Sequence, residues 1–548
     1  MTLTLPALRF EAEAFRLGKD KILGRQSAGD AFLRALLLLP ELEELWGHGP
    51  SPATAPAFAE TVAALRKGVK AGWVPAGDAA RLSALGGVHY PDPMLADPAR
   101  MRLAAGPAAW SITGITHTIA SAGAMSGLAA YATAPLMAWD GLVLTSDAVK
   151  ASVIELLDAQ DEYLAWRFPG ASLPPRPQMP VIPLGVHTAD FAVSEAAREE
   201  ARRALGLGRG DVAFLFVGRL SFHAKAHPWP MYAALEEAAR RTGRRVALIQ
   251  CGWFANAGIE QAFKAGAASH APSVRHLWLD GREAAQRARA WTAGDVFVSL
   301  SDNIQETYGL TPLEAMAAGL PVLATDWNGY RQTLHHGETG FMVPTLAPDT
   351  TIGDGYADDH ADGAINYDIY LARTARHVSI DLAALFDAAE RLVADEGLRR
   401  TMGAAGRKLA RERFEWSHLV REYLALWQEL ARIRAAAQAD PGMAPRRAPE
   451  RLNPFALFGT YPTRPVTGET QVHRRKGGGD PARLLADPLH SVFVADLGGV
   501  EAVVRLLVQV PGSGSRSLDE LAEAAGMNAG QTMALATVLL KLGVIETA

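Results

Sequence analysis

The chain has 548 residues, of which 49% are hydrophobic and 21% charged. A single hydrophobic core stops growing near ~250–300 residues, so two large domains or more are required, and the composition excludes general disorder. With 54 basic against 59 acidic residues, a formal net charge of -5 supplies no field that would gather nucleic acid or anionic lipid nonspecifically.

The opening MTLTLPALRFEAEAF lacks the basic and apolar regions of a signal peptide. No later run approaches the ~20 apolar residues of a membrane span, which predicts a cytoplasmic protein. Residues 8–15 alternate in period two and read as a strand, and residues 28–39 are helical. Residues 111–116 and 142–145 are compact strands, and residues 148–167 form a long amphipathic helix. This alternation means a parallel sheet covered on both faces. The proline-rich stretch 169–186 cannot continue a helix and reads as the crossing between lobes.

A second lobe repeats the alternation, with strands at residues 212–218, 246–252, 274–279, 296–300 and 321–325. Such sheets bind ligands beyond the carboxyl ends of their strands. Cys251, the only cysteine, ends one of these apolar runs and has no intrachain partner, which fits a buried residue in a reducing compartment. Residues 346–364 are acidic and contain glycine. Without EF-hand spacing they read as a solvated surface loop. Helices follow to about residue 438. The expected division is a first lobe 1–205, a second lobe 206–438, a proline-, arginine- and glycine-rich linker 439–480, and a winged-helix-like tail 481–548. In the tail Ser517 opens a helix with a capping-box pattern, and residues 529–542 form the next helix.

The most informative segment is 295–319, where a strand runs into a polar loop ending at Gly309 and a helix begins. Thr311 suits the N-cap and Pro312 the first helical position. The N–H groups of Gly309, Leu310, Thr311 and Leu313 then point out of the helix start, and with the helix dipole they make a site for a diphosphate. Glu306 and Glu314 flank it with seven residues between them. Carboxylates accept bonds from sugar or ribose hydroxyls and stabilise cationic charge developing at an anomeric carbon. Thr311 and Glu314 also fit a capping box, and Glu306 could simply face solvent; spacing leaves both readings open.

The run Glu306-Thr307-Tyr308-Gly309-Leu310-Thr311-Pro312-Leu313-Glu314-Ala315-Met316-Ala317-Ala318-Gly319-Leu320-Pro321-Val322 resembles the signature of family 4 retaining glycosyltransferases of the GT-B fold, the group 1 transferases. The resemblance implies that Glu306 faces the donor sugar and Glu314 bonds the nucleotide ribose. Phe214-Leu215-Phe216-Val217-Gly218-Arg219-Leu220, followed by His223-Ala224-Lys225, is a second similar piece. It implies that Arg219 and Lys225 neutralise the donor diphosphate as charge collects on the leaving group. His117, at the end of the strand 111–116, resembles the family's inter-lobe histidine near the donor sugar or acceptor. A half-buried polar residue is the alternative. Gly24 and Arg25 stand where relatives place a glycine-rich loop touching donor or acceptor, although a first helical turn fits as well. Asp326-Trp327-Asn328-Gly329 departs from the family's usual Gly-Gly and acidic residue, so no sugar is assigned. The similarity covers residues 110–430 and omits the tail.

The expected fold is α/β, with two Rossmann-like lobes facing across a cleft in the GT-B manner and a small, mainly α C-terminal domain. The expected function is retaining transfer of a sugar from a nucleotide-diphosphate donor to an acceptor glycan, lipid, small molecule or polypeptide. No Asp-x-Asp triplet occurs, which argues against a metal-dependent GT-A transferase. Neither metal nor other cofactor is expected, since cations and helix N–H groups serve instead. The rivals are a catalytically silent nucleotide-sugar-binding regulator and a phosphorylase or epimerase on the same scaffold. The joint presence of Glu306, Glu314, Arg219 and Lys225 disfavours the first, and the lack of an evident pyridoxal-phosphate signature weakens the second. The tail carries seven acidic against four basic residues, with Lys541 the only basic group on its would-be recognition helix. It is therefore expected to dock a protein, present an acceptor polypeptide, form a dimer or act as a structural cap, but not to bind nucleic acid.

Overall fold

The computed structural model describes residues 3–15, 24–437, 448–491 and 498–548. It comprises two compact units, Met1–Ala448 and Pro449–Ala548.

The first unit holds two six-stranded sheets. In the first lobe β1 (Ala7–Arg9), β2 (Glu44–Gly49), β3 (Lys70–Pro75), β4 (Gly87–His89), β5 (Ser111–Ile115) and β6 (Gly141–Val143) lie in the order β3-β2-β1-β4-β5-β6. In the second lobe β7 (Asp211–Val217), β8 (Arg245–Gly252), β9 (Arg275–Asp280), β10 (Val296–Ser299), β11 (Val322–Thr325) and β12 (Gly340–Val343) lie in the order β12-β11-β10-β7-β8-β9. Every neighbouring pair in both sheets is parallel. Each order reverses at its middle, between β1 and β4 and between β7 and β10. A crevice opens at such a switch point beyond the carboxyl ends of the strands. Two Rossmann-like lobes built this way are the GT-B fold.

The apolar runs of the second lobe are continuous because both faces of its sheet are covered. Alternate residues enter different cores. Ala213, Leu215, Ala247, Ile249 and Phe297 join one cluster, whereas Val212, Phe214, Val246, Leu248 and Val296 join the other. Each large side chain buried in this way contributes about 1.5–3 kcal/mol, so neither face can be lost cheaply.

Several expectations need correction. The first strand is only β1, and Ala12–Phe15 is helical, because Glu11-Ala12-Glu13-Ala14 favours helix and Phe15 turns into the core. Within 169–186, residues 178–182 run along the free edge of β6. Leu142 N donates to Gln178 O at 2.8 Å and Ile182 N to Leu144 O at 3.0 Å. The crossing itself comes only after this edge. The helix Glu195–Ala204 packs on the second lobe, where Arg198 and Arg202 both hold Asp295.

The chain returns to the first lobe near residue 415. The outgoing and returning segments are tied together, with Val186 N donating to Phe414 O at 2.8 Å and Trp416 N to Val186 O at 3.2 Å. The helix Trp416–Ala437 then lies on the first lobe. Trp427 Nε1 donates to Thr113 Oγ1 at 3.2 Å, and Arg434 donates to Gly86 O.

The acidic segment expected as a loop carries a helix, Asp354–Ala361. β13 (Thr345–Leu346) pairs antiparallel with β14 (Ser379–Ile380), and the excursion between them carries the helices Asp354–Ala361 and Tyr367–Ala375.

The second unit contains β15 (Gln471–Arg474), β16 (Arg516–Ser517) and β17 (Ile545–Thr547), antiparallel in the order β16-β15-β17. The helices Gly499–Gln509, Leu518–Ala525 and Ala529–Lys541 pack with it around Val472, Leu506, Leu521, Leu535 and Ile545. Ser517 and Glu520 form the reciprocal capping box, at 3.2 and 2.8 Å. β15 falls inside the stretch read as a linker, because only Val472 of its four residues is buried and no apolar pattern marks it. Among the described residues no helix is long and apolar enough to cross a membrane.

Candidate active site

At the switch point of the second sheet, the loop after β10 is laced to the loop after β7. Asn303 Nδ2 donates to His223 O at 2.6 Å, His227 N to Asp302 Oδ2 at 3.0 Å, and Ser301 Oγ to Lys225 O at 3.4 Å. These contacts bring Lys225 Nζ to 3.0 Å from Glu306 Oε2, with the lysine side chain 35% and the glutamate 14% exposed. Burial alone would raise the Glu306 carboxyl. The charge and hydrogen bond of Lys225 and the N–H groups of Tyr308 and Thr307 outweigh it and hold the group below the ordinary glutamate range.

The helix after this loop runs Leu310–Ala318 with Gly309 as its N-cap, at φ +87°. A Cβ on Gly309 would lie 1.9 Å from the Tyr330 ring, so conformation and space both demand glycine. Tyr330 is pinned beneath it by a 2.8 Å bond between its hydroxyl and Ser299 Oγ. Thr311 is therefore not the N-cap. It lies inside the first turn, no side-chain cap is made, and the capping box with Glu314 does not form. The glycine reverses the chain before Thr311 can, which starts the helix two residues early. The backbone N–H groups of Leu310 and Thr311, in the first turn of this helix, have no partner among the described residues. Glu314 is half-buried, and desolvation pushes its carboxyl up to about 7 against the pull of Arg287.

Arg219 follows Gly218 at the end of β7. It is half-buried and makes no hydrogen bond or ion pair with another described residue. Burial lowers its pKa, opposed by Asp368 and Tyr367. A partly desolvated guanidinium of this kind is ready for an anion.

On the first lobe His117 lies just past β5. Its Nε2 is 2.9 Å from Pro91 O. A carbonyl can only accept, so Nε2 carries the hydrogen and Nδ1 keeps its lone pair. Burial lowers the pKa to about 4, opposed by that same bond, so the ring is neutral at neutral pH. His117 lines a pocket together with Arg25, His89, Phe32, Trp416 and Tyr423. Burial drives His89 down to about 3. Gly24 and Arg25 do not form a loop here. They lie in the helix Gly24–Leu37, which the apolar spacing of Ala28, Phe32, Leu33 and Leu36 stabilises. Arg25 pairs with Glu13 Oε1 at 2.7 Å.

The second-lobe candidates Arg219, Lys225, Glu306, Gly309, Leu310, Thr311 and Glu314 thus share one sheet edge, while His117 and Arg25 share the facing pocket of the first lobe. Inter-lobe bonds join the two sides. Ser146 Oγ donates to Thr307 O at 3.1 Å and contacts Asn328 Oδ1 at 2.9 Å, Tyr308 OH donates to Leu184 O at 2.7 Å, and Thr118 Oγ1 meets Tyr367 OH at 3.2 Å. Sequence reasoning passed over Asp302, Asn303, Ser146 and Tyr367, and gave Asn328 no role beyond its place in a divergent loop. The pair Asp302-Asn303 carried a usable signal, being polar residues directly after a buried strand on the ligand edge. Asn328 is the only non-glycine residue with positive φ, +42°, among the described residues. Its strained position marks the loop that departs from the family pattern.

Residues 197–351 match the family model described as glycosyl transferases group 1. A D-inositol 3-phosphate glycosyltransferase of Nocardia farcinica (strain IFM 10152) is 30% identical over 170 residues, which covers 31% of this chain and 37% of that protein. A phosphatidyl-myo-inositol mannosyltransferase of Mycobacterium tuberculosis (strain ATCC 25618 / H37Rv) is 26% identical over 257 residues, 47% of this chain and 56% of that protein. Among solved structures, a glycosyltransferase from Rickettsia africae ESF-5 aligns with a TM-score of 0.49 at 14% identity, over 74% of this chain and 95% of that one. The chain spans about a third to just over half of the curated relatives' lengths. The segment bearing β7 to β12, Glu306 and Glu314 is similar to the group 1 glycosyl transferases, and it lies within a unit of the GT-B fold.

Proposed function

We propose that the protein is a retaining glycosyltransferase that takes a sugar from a nucleoside-diphosphate donor bound between the carboxyl ends of β7 and β10. The observation that carries this reading is the Lys225–Glu306 pair, a cation and a carboxylate held 3.0 Å apart beside a helix start with free N–H groups. In this reading Arg219, Lys225 and the N–H groups of Leu310 and Thr311 bind the diphosphate. Glu314 accepts bonds from the ribose hydroxyls, and Glu306 faces the sugar.

As the bond between the anomeric carbon and the β-phosphate oxygen breaks, negative charge collects on the leaving diphosphate. Arg219 and Lys225 are placed to take it up, so no metal is needed for that role. Positive charge developing at the anomeric carbon is met by the ionised Glu306. His117, neutral and with a free lone pair on Nδ1, approaches from the first-lobe pocket, where the acceptor binds. The D-inositol 3-phosphate glycosyltransferase and the phosphatidyl-myo-inositol mannosyltransferase among the relatives make inositol phosphates and phosphatidylinositol the first acceptors to try.

The test is a panel of nucleotide sugars screened by thermal shift and turnover, with mass spectrometry of the product to read the modified acceptor and its anomeric configuration. A Glu306→Gln variant with normal turnover would refute the mechanism.

A further inference from the structure

The excursion between β13 and β14 leaves and re-enters the second lobe at one point. Thr345 pairs with Ile380 and Leu346 with Ser379, and Asp381 N donates to Pro344 O at 2.9 Å. The match to the glycosyl transferases group 1 model ends at residue 351, before either of its helices. The two helices brace each other. Arg373 Nη1 pairs with Asp359 Oδ2 at 2.5 Å, Arg376 Nη2 donates to Tyr356 OH at 2.7 Å, and the His360 and Tyr370 rings lie 4.4 Å apart between centroids. Asn366 caps the second helix by accepting from Ile369 N at 2.9 Å.

That second helix, Tyr367–Ala375, buries only Leu371 and Ala375. Leu371 is 0% exposed, and it packs in a small separate cluster with Ala120, Ala224, Ile304 and Tyr367. The three members outside this helix each stand beside a candidate site residue. Ala120 follows His117 by three positions, Ala224 precedes Lys225 directly, and Ile304 precedes Glu306 by two. Tyr367 adds the hydroxyl contact with Thr118, the neighbour of His117, at 3.2 Å. The same helix start carries Asp368, whose charge acts on Arg219. One helix therefore touches the loops of all three groups, from both lobes.

We propose that the helix Tyr367–Ala375 is the positioning element of the active site, in which Leu371 and Tyr367 hold the His117, Lys225 and Glu306 loops in register for the transfer step. In this role Leu371 and Tyr367 are positioning residues that act through those loops. Well-packed alanines on two loops leave room for one branched side chain, and shortening it lets the loops shift against each other. A displacement on the order of 1 Å at reacting groups costs roughly 100-fold in rate while barely affecting ground-state affinity.

The inference rests on the donor-site reading above, and the experiment separates the two. Leu371→Ala, Leu371→Met and Tyr367→Phe are compared with wild type and Arg219→Ala. Dissociation constants are measured for uridine, guanosine and adenosine diphosphates, and kcat and KM for turnover of the matching nucleotide sugar. The expected result is a loss in kcat of at least about tenfold for Leu371→Ala, with nucleoside diphosphate affinity kept within about threefold. Leu371→Met is expected to restore kcat to near wild type, because it refills the cluster. Tyr367→Phe, which keeps its ring in place, should lower kcat about three- to tenfold. Wild-type kcat in Tyr367→Phe and Leu371→Ala overturns the proposal, as does an equal loss of affinity and kcat that Leu371→Met fails to rescue. If Leu371→Ala does not fold, Tyr367→Phe decides alone. Binding unaffected by Arg219→Ala, or no nucleotide binding by wild type, would instead overturn the donor-site reading, and the proposal with it.

Discussion

Lys225 and Glu306, 81 positions apart in the chain, meet at 3.0 Å where the order of the second sheet reverses. That contact keeps Glu306 ionised, and under the proposed function Glu306 serves as the carboxylate facing the sugar while Lys225 also reaches the diphosphate. Glu306→Gln should therefore retain nucleoside diphosphate affinity within about threefold while turnover falls at least about 100-fold. Calorimetry and steady-state kinetics on the same preparation provide the comparison.

Arg219 should behave differently, since it is read as a diphosphate ligand in both ground and transition states. Arg219→Ala is expected to weaken nucleoside diphosphate binding about 10- to 100-fold and to lower kcat/KM at least as much. The salt dependence of binding should flatten in the variant, because one charge–charge contact is gone.

Glu314 supplies a pH signature. Burial raises its carboxyl to about 7, so the group is protonated below that value and, as the proposed ribose ligand, would be a full acceptor only above it. Nucleoside diphosphate affinity should rise roughly three- to tenfold between pH 6 and pH 8, and Glu314→Gln should flatten the profile. Titration calorimetry across that range checks this; an unchanged slope in the variant would remove Glu314 from the binding site.

Asp302 is buried, its Oδ1 has no partner among the described residues, and desolvation lifts it to about 7 against the N–H of His227. An acid raised in the folded state holds its proton while the unfolded chain has already lost it. Stability therefore falls as pH climbs from the ordinary aspartate range, near 3.8, to about 7, and the loss is complete above that. Asp302→Asn should be more stable than wild type at pH 8 by roughly 1–4 kcal/mol, with the gain vanishing near pH 4. Thermal unfolding at the two pH values reads it directly.

Gly309→Ala combines a positive φ with a Cβ placed inside the Tyr330 ring. A cost of roughly 2–5 kcal/mol is expected from strain and overpacking together, measured by chemical denaturation. Nucleotide binding should weaken with it, as the helix start moves.

The second-lobe strands were legible because burial on both faces makes them continuous apolar runs, as in Val212, Ala213, Phe214 and Leu215. β2, β3 and β4 carry Gly47, Gly72 and Gly87 and polar residues such as His48, and their pairing comes from neighbours distant in sequence, so no local period marks them. The two glutamates stood out through the motif around them. The start of their helix was misread because Thr311 and Pro312 look like a cap, while the demand for glycine at 309 comes from Tyr330, which lies 21 positions later. The Lys225–Glu306 pair was illegible for the same reason, since it depends on β7 and β10 being neighbours. Polar and acidic content concealed the excursion helices, whose only fully buried side chain is that of Leu371.

The two passages between the lobes are zipped together by the backbone bonds of Val186 with Phe414 and Trp416. A single tether would let one lobe swivel freely on the other. Two tethers fastened side by side act like the knuckles of a door hinge, leaving one easy axis of rotation and resisting twist. Under the proposed function, any widening of the cleft to admit a donor would turn on this hinge, carrying the His117 pocket away from the Glu306 loop and back along one arc.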